Sequence, residues 1–424
     1  MLASAGQQDR WLLVVAILAA SLIHVSIAAS QLCLGLGIGM MLVLRRRLEF
    51  PRIWIPLVVF FVLTSISLLL SPDPWGGRAQ IRKFFVFLFI PLIYHVFSRQ
   101  LSRVYYLMIG WAVTATASGV WGLVQFYTKF HRTQVTGEDF YTAYVGSRIT
   151  GFESHWMTFG ALQLSVLLLL LAHWFFSSRR FPVWVYSSVV VLGTAILLGW
   201  TRSIWIAALP STLYLVWFWR PKMMLLVPVA VVLAFAIAPD ATSDRLSSLV
   251  DPHGDTDSNQ HRIVTFRTGL QMIKSHPVFG LGPEQIGRQF QSYVPSNIPR
   301  PLPTGYYGHL HNIYLQYAAE RGIPALLAML FLIGETLWDA ARALRQLPPG
   351  RSVQRFLLHG SIAFIIAILV EGLFEFNLGD SEVLMMFVTV LALTYAAIRN
   401  VHPANGPMVQ NPSGTDATVG GITP

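Results

Sequence analysis

Two histidines and an asparagine stand close together in Gly308-His309-Leu310-His311-Asn312, with Glu320-Arg321-Gly322-Ile323-Pro324 a short way downstream. An imidazole can take or give a proton near neutral pH, so His311 is a candidate general base and His309 a neighbour that could support it. Asn312 could donate a side-chain hydrogen bond or cap a helix. A plainer reading is available for the whole segment: a polar turn that caps the helix leading into the next apolar stretch.

Other residues fit chemistry less well. Asp255-Thr256-Asp257 has the Asp-x-Asp form of metal-dependent sugar transferases. It lies in a loose stretch bearing Gly, Ser and Asn, with no hydrophobic strand before it, and reads as solvated loop. His309 and His311 could start a zinc site, but zinc normally takes three or four protein ligands. No third ligand appears at helical or turn spacing, and Glu320 more simply opens the Glu-Arg-Gly turn. Neither a metal nor a cofactor is expected. Glu371 closes an apolar stretch, with Glu375, Asp380 and Glu382 just beyond. An acid at that place is a functional suspect; it either lines a cavity, pairs with Arg202 or Arg148, or is simply solvated at an interface.

The elements that must hold these residues are membrane helices. Of 424 residues, 54% are hydrophobic and only 12% charged, and mean hydropathy is +0.55. A soluble domain carries roughly 25% charged residues. The apolar runs approach the roughly 20 residues that cross a bilayer as a helix, and the short alternating segments of a barrel are missing. Spans are expected at Trp11–Ala28, Leu32–Leu44, Ile53–Leu70, Phe84–Phe97, Val104–Phe126, Trp156–Phe176, Val183–Leu198, Ser203–Trp219, Met223–Ala238, Ile323–Trp338, Phe356–Phe374 and Val383–Ile398. The first reads as an uncleaved span, because its leader carries only Arg10 and another apolar run follows at once. The lone cysteine, Cys33, is a small apolar-run residue and can form no intrachain disulfide.

The formal charge of +10 is explained by loop bias, without nucleic acid. Arg45–Arg47, Arg99 with Arg103, Arg179 with Arg180, Arg220 with Lys222, and Arg342, Arg345, Arg351 and Arg355 all follow even-numbered spans. The positive-inside bias then places those loops and both termini in the cytoplasm. Outside lie residues 126–155, the very short Trp200-Thr201-Arg202 turn, and residues 239–322, the longest loop. Domains follow as 1–238 (spans one to nine), 239–322 (outer loop), 323–398 (spans ten to twelve) and 399–424 (a disordered Pro/Gly/Asn/Thr-rich tail). In the long loop, Ile263, Phe266, Leu270 and Ile273 recur at helical spacing, and 283–293 reads as a second short helix begun by Pro283.

Three segments together resemble the O-antigen ligase superfamily. His311-Asn312 followed by Gly322 is similar to its histidine–asparagine signature. Ser275-His276-Pro277-Val278-Phe279-Gly280-Leu281-Gly282 resembles its His-Pro-x-x-Gly-x-Gly stretch. Leu197-Leu198-Gly199-Trp200-Thr201-Arg202-Ser203 resembles its Ser-Arg turn, with Thr here before the Arg. Each motif is weak alone; the three in order, in the corresponding loops, are specific. The resemblance implies a GT-C-like all-α membrane protein of about twelve transmembrane helices with a periplasmic helical subdomain. It implies metal-independent glycan transfer from undecaprenyl diphosphate to lipid A–core oligosaccharide.

Within that resemblance His311 is the catalytic base, and Arg202 and Arg262 hold the diphosphate, which the planar guanidinium fork suits. Snorkelling to lipid headgroups is the bland alternative for Arg202, and a solvated helix surface for Arg262. Arg148, Arg288, His309, Asn312 and Glu371 are secondary candidates. No nucleotide-binding loop is visible, as befits a donor activated on lipid. An O-antigen polymerase is the nearest alternative, disfavoured because one outer loop dominates. A protein O-oligosaccharyltransferase would carry a further domain after the signature. A small-anion transporter, from another class, would show broken helices and charges near the midplane; here the charges crowd one edge.

Overall fold

The computed structural model describes residues 2–237, 244–245 and 259–401, and every regular element among them is helical. In chain order the α-helices are α1 (Leu2–Ser21), α2 (Ile27–Val43), α3 (Trp54–Leu70), α4 (Pro74–Arg82), α5 (Phe89–Arg99), α6 (Val104–Thr136), α7 (Phe140–Val145), α8 (Trp156–Phe176), α9 (Val183–Leu198), α10 (Arg202–Trp219) and α11 (Leu226–Ile237). After the loop residues come α12 (Asn259–Ser275), α13 (Ile286–Tyr293), α14 (Ile313–Arg321), α15 (Ile323–Gln346), α16 (Val353–Glu371) and α17 (Ser381–Arg399).

Each of the twelve expected stretches falls largely on helix, the last residue of the ninth, Ala238, lying outside the described residues. Among the described residues six helical segments are long and apolar enough to cross a membrane by themselves: Pro74–Arg99, Leu101–Thr136, α8, α15, α16 and α17. α2, α3 and α9 are apolar but shorter. The protein is a helical membrane protein. The fifth expected span runs on past Phe126 to Thr136 and the tenth past Trp338 to Gln346, and two others differ in detail. The first does not run to Ala28: α1 gives way to a 3-10 turn at Leu22–His24, and Ser26, whose hydroxyl accepts from the Ala29 amide at 3.3 Å, starts α2 early. The fourth is part of a longer segment, in which Asp73 caps α4 and a 3-10 stretch at Lys83–Leu88 joins α4 to α5.

Burial separates central from peripheral helices. The α17 window is 89% buried and that of α15 only 39%. A helix apolar all round is stable at the centre of a bundle or against lipid. α17 packs on α5, α16 and α8, and α16 also meets α8 and α10. α15 instead exposes Leu327, Phe331 and Trp338. Close approach between α16 and α8 is possible because Gly360 faces Leu169 and Ala172, the small-residue packing usual between membrane helices.

Basic loops gather at one end. Arg46 bonds Asp9 at 2.7 Å, Arg399 bonds Glu49 at 2.8 Å and Arg99 lies 3.7 Å from the same acid. Two smaller apolar cores lie outside the main bundle core. One, with Val264, Met272, Leu281, Phe290, Leu310 and Leu315, organises the loop helices α12 to α14. The other stacks Phe126, Phe140, Tyr144 and Trp200 and holds α7 against the α9–α10 turn. The site lies between them.

Candidate functional site

The site starts from how His311 is held. Asn312 has extended backbone and caps α14: its Oδ1 accepts from the Tyr314 and Leu315 amides at 3.0 and 2.9 Å. Its Nδ2 donates to the Leu373 carbonyl at 2.9 Å, so it is both cap and donor. The Ile313 amide donates to the Gly372 carbonyl at 2.8 Å. These bonds tie the turn to the loop between α16 and α17. His311 itself has φ +49°, left-handed for a residue with a side chain, which costs about 1 kcal/mol or more.

The other end of α14 is clasped by the His-Pro-x-x-Gly-x-Gly stretch. The Leu281 and Gly282 amides donate to the Ala319 and Glu320 carbonyls at 2.8 and 2.9 Å, and the Ile323 amide donates to the Pro277 carbonyl at 2.8 Å. Gly280 and Gly322 have φ +68° and +86°, and a Cβ on either would run into backbone of the opposite segment. Only glycine permits this approach. Glu320, buried beneath, accepts from the Glu284 amide at 3.0 Å, a support for the clasp.

Around His311 gathers a histidine pocket. Its Nδ1 faces Glu375 Oε2 at 3.2 Å and its Nε2 faces the Tyr306 carbonyl at 3.1 Å. His261 donates from Nε2 to the same carbonyl at 2.9 Å, and its ring stands edge-on to His311 at 5.0 Å. His309 lies 4.0 Å from His311 ring to ring, with Nε2 3.6 Å from Glu375 Oε1. Burial holds His309 and His261 down to about 4, so both are neutral near pH 7. Glu375 is 5% exposed. Burial would lift its carboxyl, but the His311 hydrogen bond and the pull of His311 and His309 outweigh that and hold it at about 2.

Next to it is an arginine pocket. Trp200, at φ +50°, offers its carbonyl to Arg148 at 3.3 Å and to Arg245 at 3.4 Å. Arg245 also donates to the Tyr141 hydroxyl at 3.2 Å. Burial and then the repulsion of Arg245, with Arg262 and Arg202 felt as well, lower Arg148 to about 9. Arg202 starts α10 nearly buried and donates to Asn259 Oδ1 at 3.0 Å. Arg262, in the first turn of α12, lies over the Phe374 ring at 5.8 Å and feels both Glu375 and Arg245. It therefore joins the two pockets.

A cavity of about 650 Å³ opens between them, lined by Asn259, Arg262, His311 and Asn312 and by apolar Ile263, Phe266, Leu270, Leu373 and Phe374. The expected apolar stripe of α12 is real, but Ile263, Phe266 and Leu270 are exposed, whereas Val264 and Met272 face the loop core. The apolar edge is the cavity's wall, so a mixed polar and apolar ligand fits it.

The candidates thus divide. His311, Asn312 and Arg262 line the cavity, Arg202 meets it through Asn259, and Arg148 and His309 stand just behind. Arg288 does not join them: it pairs with Asp73 at the start of α4. Glu371 does not face Arg202 or Arg148 in any bond seen here. It is buried and accepts from Asn377 Nδ2 at 3.1 Å, and the acid that meets the histidines is Glu375, one helical turn on. Asp255 and Asp257 lie outside the described residues. Glu375, His261 and Arg245 were not singled out in the sequence. Nothing local marks them, because each gains its role from contact with distant segments.

No third ligand stands at helical or turn spacing from the two histidines, but the fold brings an acid to them from a distant segment. Ligand atoms of His309, His311 and Glu375 lie within 4.8 Å of one another. Proton placement nevertheless fits hydrogen bonding better. His309 Nδ1 accepts from the His311 amide at 3.2 Å, which leaves its proton on Nε2, the atom a cation would need.

Comparison with known proteins accords with this geometry. No curated protein matches the chain. Residues 187–330, which hold the Trp200–Arg202 turn, Arg262, the glycine clasp and His311, match the family model described as O-antigen ligase. That match, over about a third of the chain, supports its resemblance to the O-antigen ligase superfamily.

Proposed function

We propose that this protein is an O-antigen ligase that moves O-polysaccharide from undecaprenyl diphosphate to lipid A–core oligosaccharide at the periplasmic face of the bacterial inner membrane. The observation that carries this reading is one cavity shared by an imidazole, a guanidinium and an exposed apolar wall, beside three further arginines. A lipid-linked diphosphate has these two characters: an anionic head for Arg262, Arg202, Arg148 and Arg245, and a hydrocarbon chain for Ile263, Phe266 and Leu270. All twelve helical stretches cross the bilayer in this reading, in a GT-C-like arrangement with both termini cytoplasmic. The clustering of Arg46, Arg99 and Arg399 at one end supports that orientation.

In the reaction, neutral His311 takes the proton of the acceptor hydroxyl at Nε2 as that oxygen bonds the anomeric carbon. The bond from that carbon to the diphosphate oxygen breaks, the electron pair leaves with the diphosphate, and the configuration inverts. Charge grows on the leaving oxygens, where fixed guanidinium groups in a site poor in water are most effective. No step draws on a metal ion, so transfer should survive a chelator. Activity that is lost with chelator and returns with divalent metal would reopen His309, His311 and Glu375 as ligands.

The test uses purified protein with lipid-linked glycan and, in parallel, rough lipopolysaccharide or further lipid-linked repeat. Consumption of the lipopolysaccharide acceptor is expected. Chain growth on the lipid carrier instead would make the protein a polymerase.

A further inference from the structure

Five ring nitrogens in the histidine pocket face an identifiable neighbour, which allows their protons to be placed. His309 Nδ1 accepts from the His311 amide, so His309 turns a protonated Nε2 toward Glu375 Oε1. A carbonyl can only accept, so His261 presents a protonated Nε2 to Tyr306. His311 is the exception: both of its nitrogens face acceptors, the Glu375 carboxylate and the Tyr306 carbonyl. Only the doubly protonated ring satisfies both. The pocket is therefore shaped around the imidazolium that exists after a proton has been taken.

We propose that Glu375 is the positioning residue of His311. It holds the ring by Nδ1, keeps that nitrogen protonated and leaves Nε2 to receive the acceptor's proton in place of the Tyr306 carbonyl. The proposal rests on the reading of His311 as base given above, and adds the group that orients it and stabilises its charged form. The carboxylate is itself fixed. Glu375 Oε1 accepts from the Phe376 amide at 3.1 Å, and the Glu375 amide donates to the Glu371 carbonyl at 3.1 Å. The Asn312 and Ile313 bonds to Leu373 and Gly372 lock its loop to the His311 turn. The other groups facing this pair are His155 at the start of α8, His261 and Arg262 on α12, His309, and the acids Glu371 and Asp380, which feel the Glu375 charge. Of these acids Glu375 is the one that bonds His311, so it is the one that favours the imidazolium.

The experiment compares Glu375→Gln and Glu375→Asp with the parent, as full-length protein in lipid nanodiscs. The first readout needs no substrate. Histidine carbon resonances are titrated, and that of His311 is assigned by its absence in His311→Asn. Removing a carboxylate this close should lower the His311 midpoint by about 1–3 pH units. The second readout is the rate–pH profile of glycan transfer. In Glu375→Gln the acid limb should move to lower pH and kcat should fall by about a hundredfold, with KM for the lipid-linked donor little changed. Glu375→Asp should recover part of both. An unmoved His311 midpoint overturns the pairing, whatever the rate does. A midpoint that moves while His311→Asn still transfers glycan overturns the reading of His311 as base, and the positioning role with it.

Discussion

The two pockets that meet at Arg262 are built on opposite electrostatic plans. In one, a buried carboxylate serves several imidazoles, and its charge is settled by a hydrogen bond from His311. In the other, cations crowd onto a single carbonyl, that of Trp200, and the charge of Arg245 makes Arg148 harder to keep charged. The first arrangement suits a proton that must move. The second suits an anion that must be held, because an arriving diphosphate relieves the crowding. On the proposed function, the site separates proton transfer from charge binding, with Arg262 at the join.

The sharpest way to break this division is His311→Ala, which should cut glycan transfer by about a hundred- to ten-thousandfold while the protein remains in the membrane, as read from transfer rates of purified protein. Arg262→Ala should cost about a hundredfold in the same assay. Arg262→Lys, which keeps the charge but loses the planar fork, should restore only part of it.

A pH test comes next in size. His261 and His309 are held at about 4, against an ordinary 6.5, so the unfolded chain takes up protons below about pH 6.5 that the folded chain refuses. These residues thus lower stability progressively as pH falls from 6.5 toward 4. A His261→Gln, His309→Gln variant should lose less, so its thermal midpoint relative to the parent should rise between pH 7 and pH 5. A constant difference would contradict the placement of both rings as buried and neutral. The smallest effect is expected from Asn312→Ala, which removes a helix cap worth about 1 kcal/mol and should lower the thermal midpoint by a few degrees.

Much of this was legible in the chain itself. The limits of α8 and α9 coincide with the apolar runs Trp156–Phe176 and Val183–Leu198, since hydrophobic length alone determines them. His311, Arg202 and Arg262 could be picked out because their residue types sit beside recognisable turns. Glu375 could not: it stands among Glu371, Asp380 and Glu382, and only its contact with His311 Nδ1 in the folded chain shows which acid meets the imidazole. The glycine clasp was visible as a motif, but its use, bringing residues 277–282 against the end of α14, depends on segments some forty residues apart. Arg245 carries no local signal at all. The α12 stripe shows a further limit: periodicity announces a helix without saying whether the apolar side faces a core or a cavity.

The division of labour is tested most directly by measuring the affinity of undecaprenyl diphosphate for the parent, His311→Ala and Arg262→Ala in nanodiscs, apart from turnover. His311→Ala should bind the carrier as the parent does, and Arg262→Ala should bind it about tenfold more weakly or worse, the loss of a charge-assisted contact. Weakened binding in His311→Ala together with unchanged binding in Arg262→Ala would contradict that division.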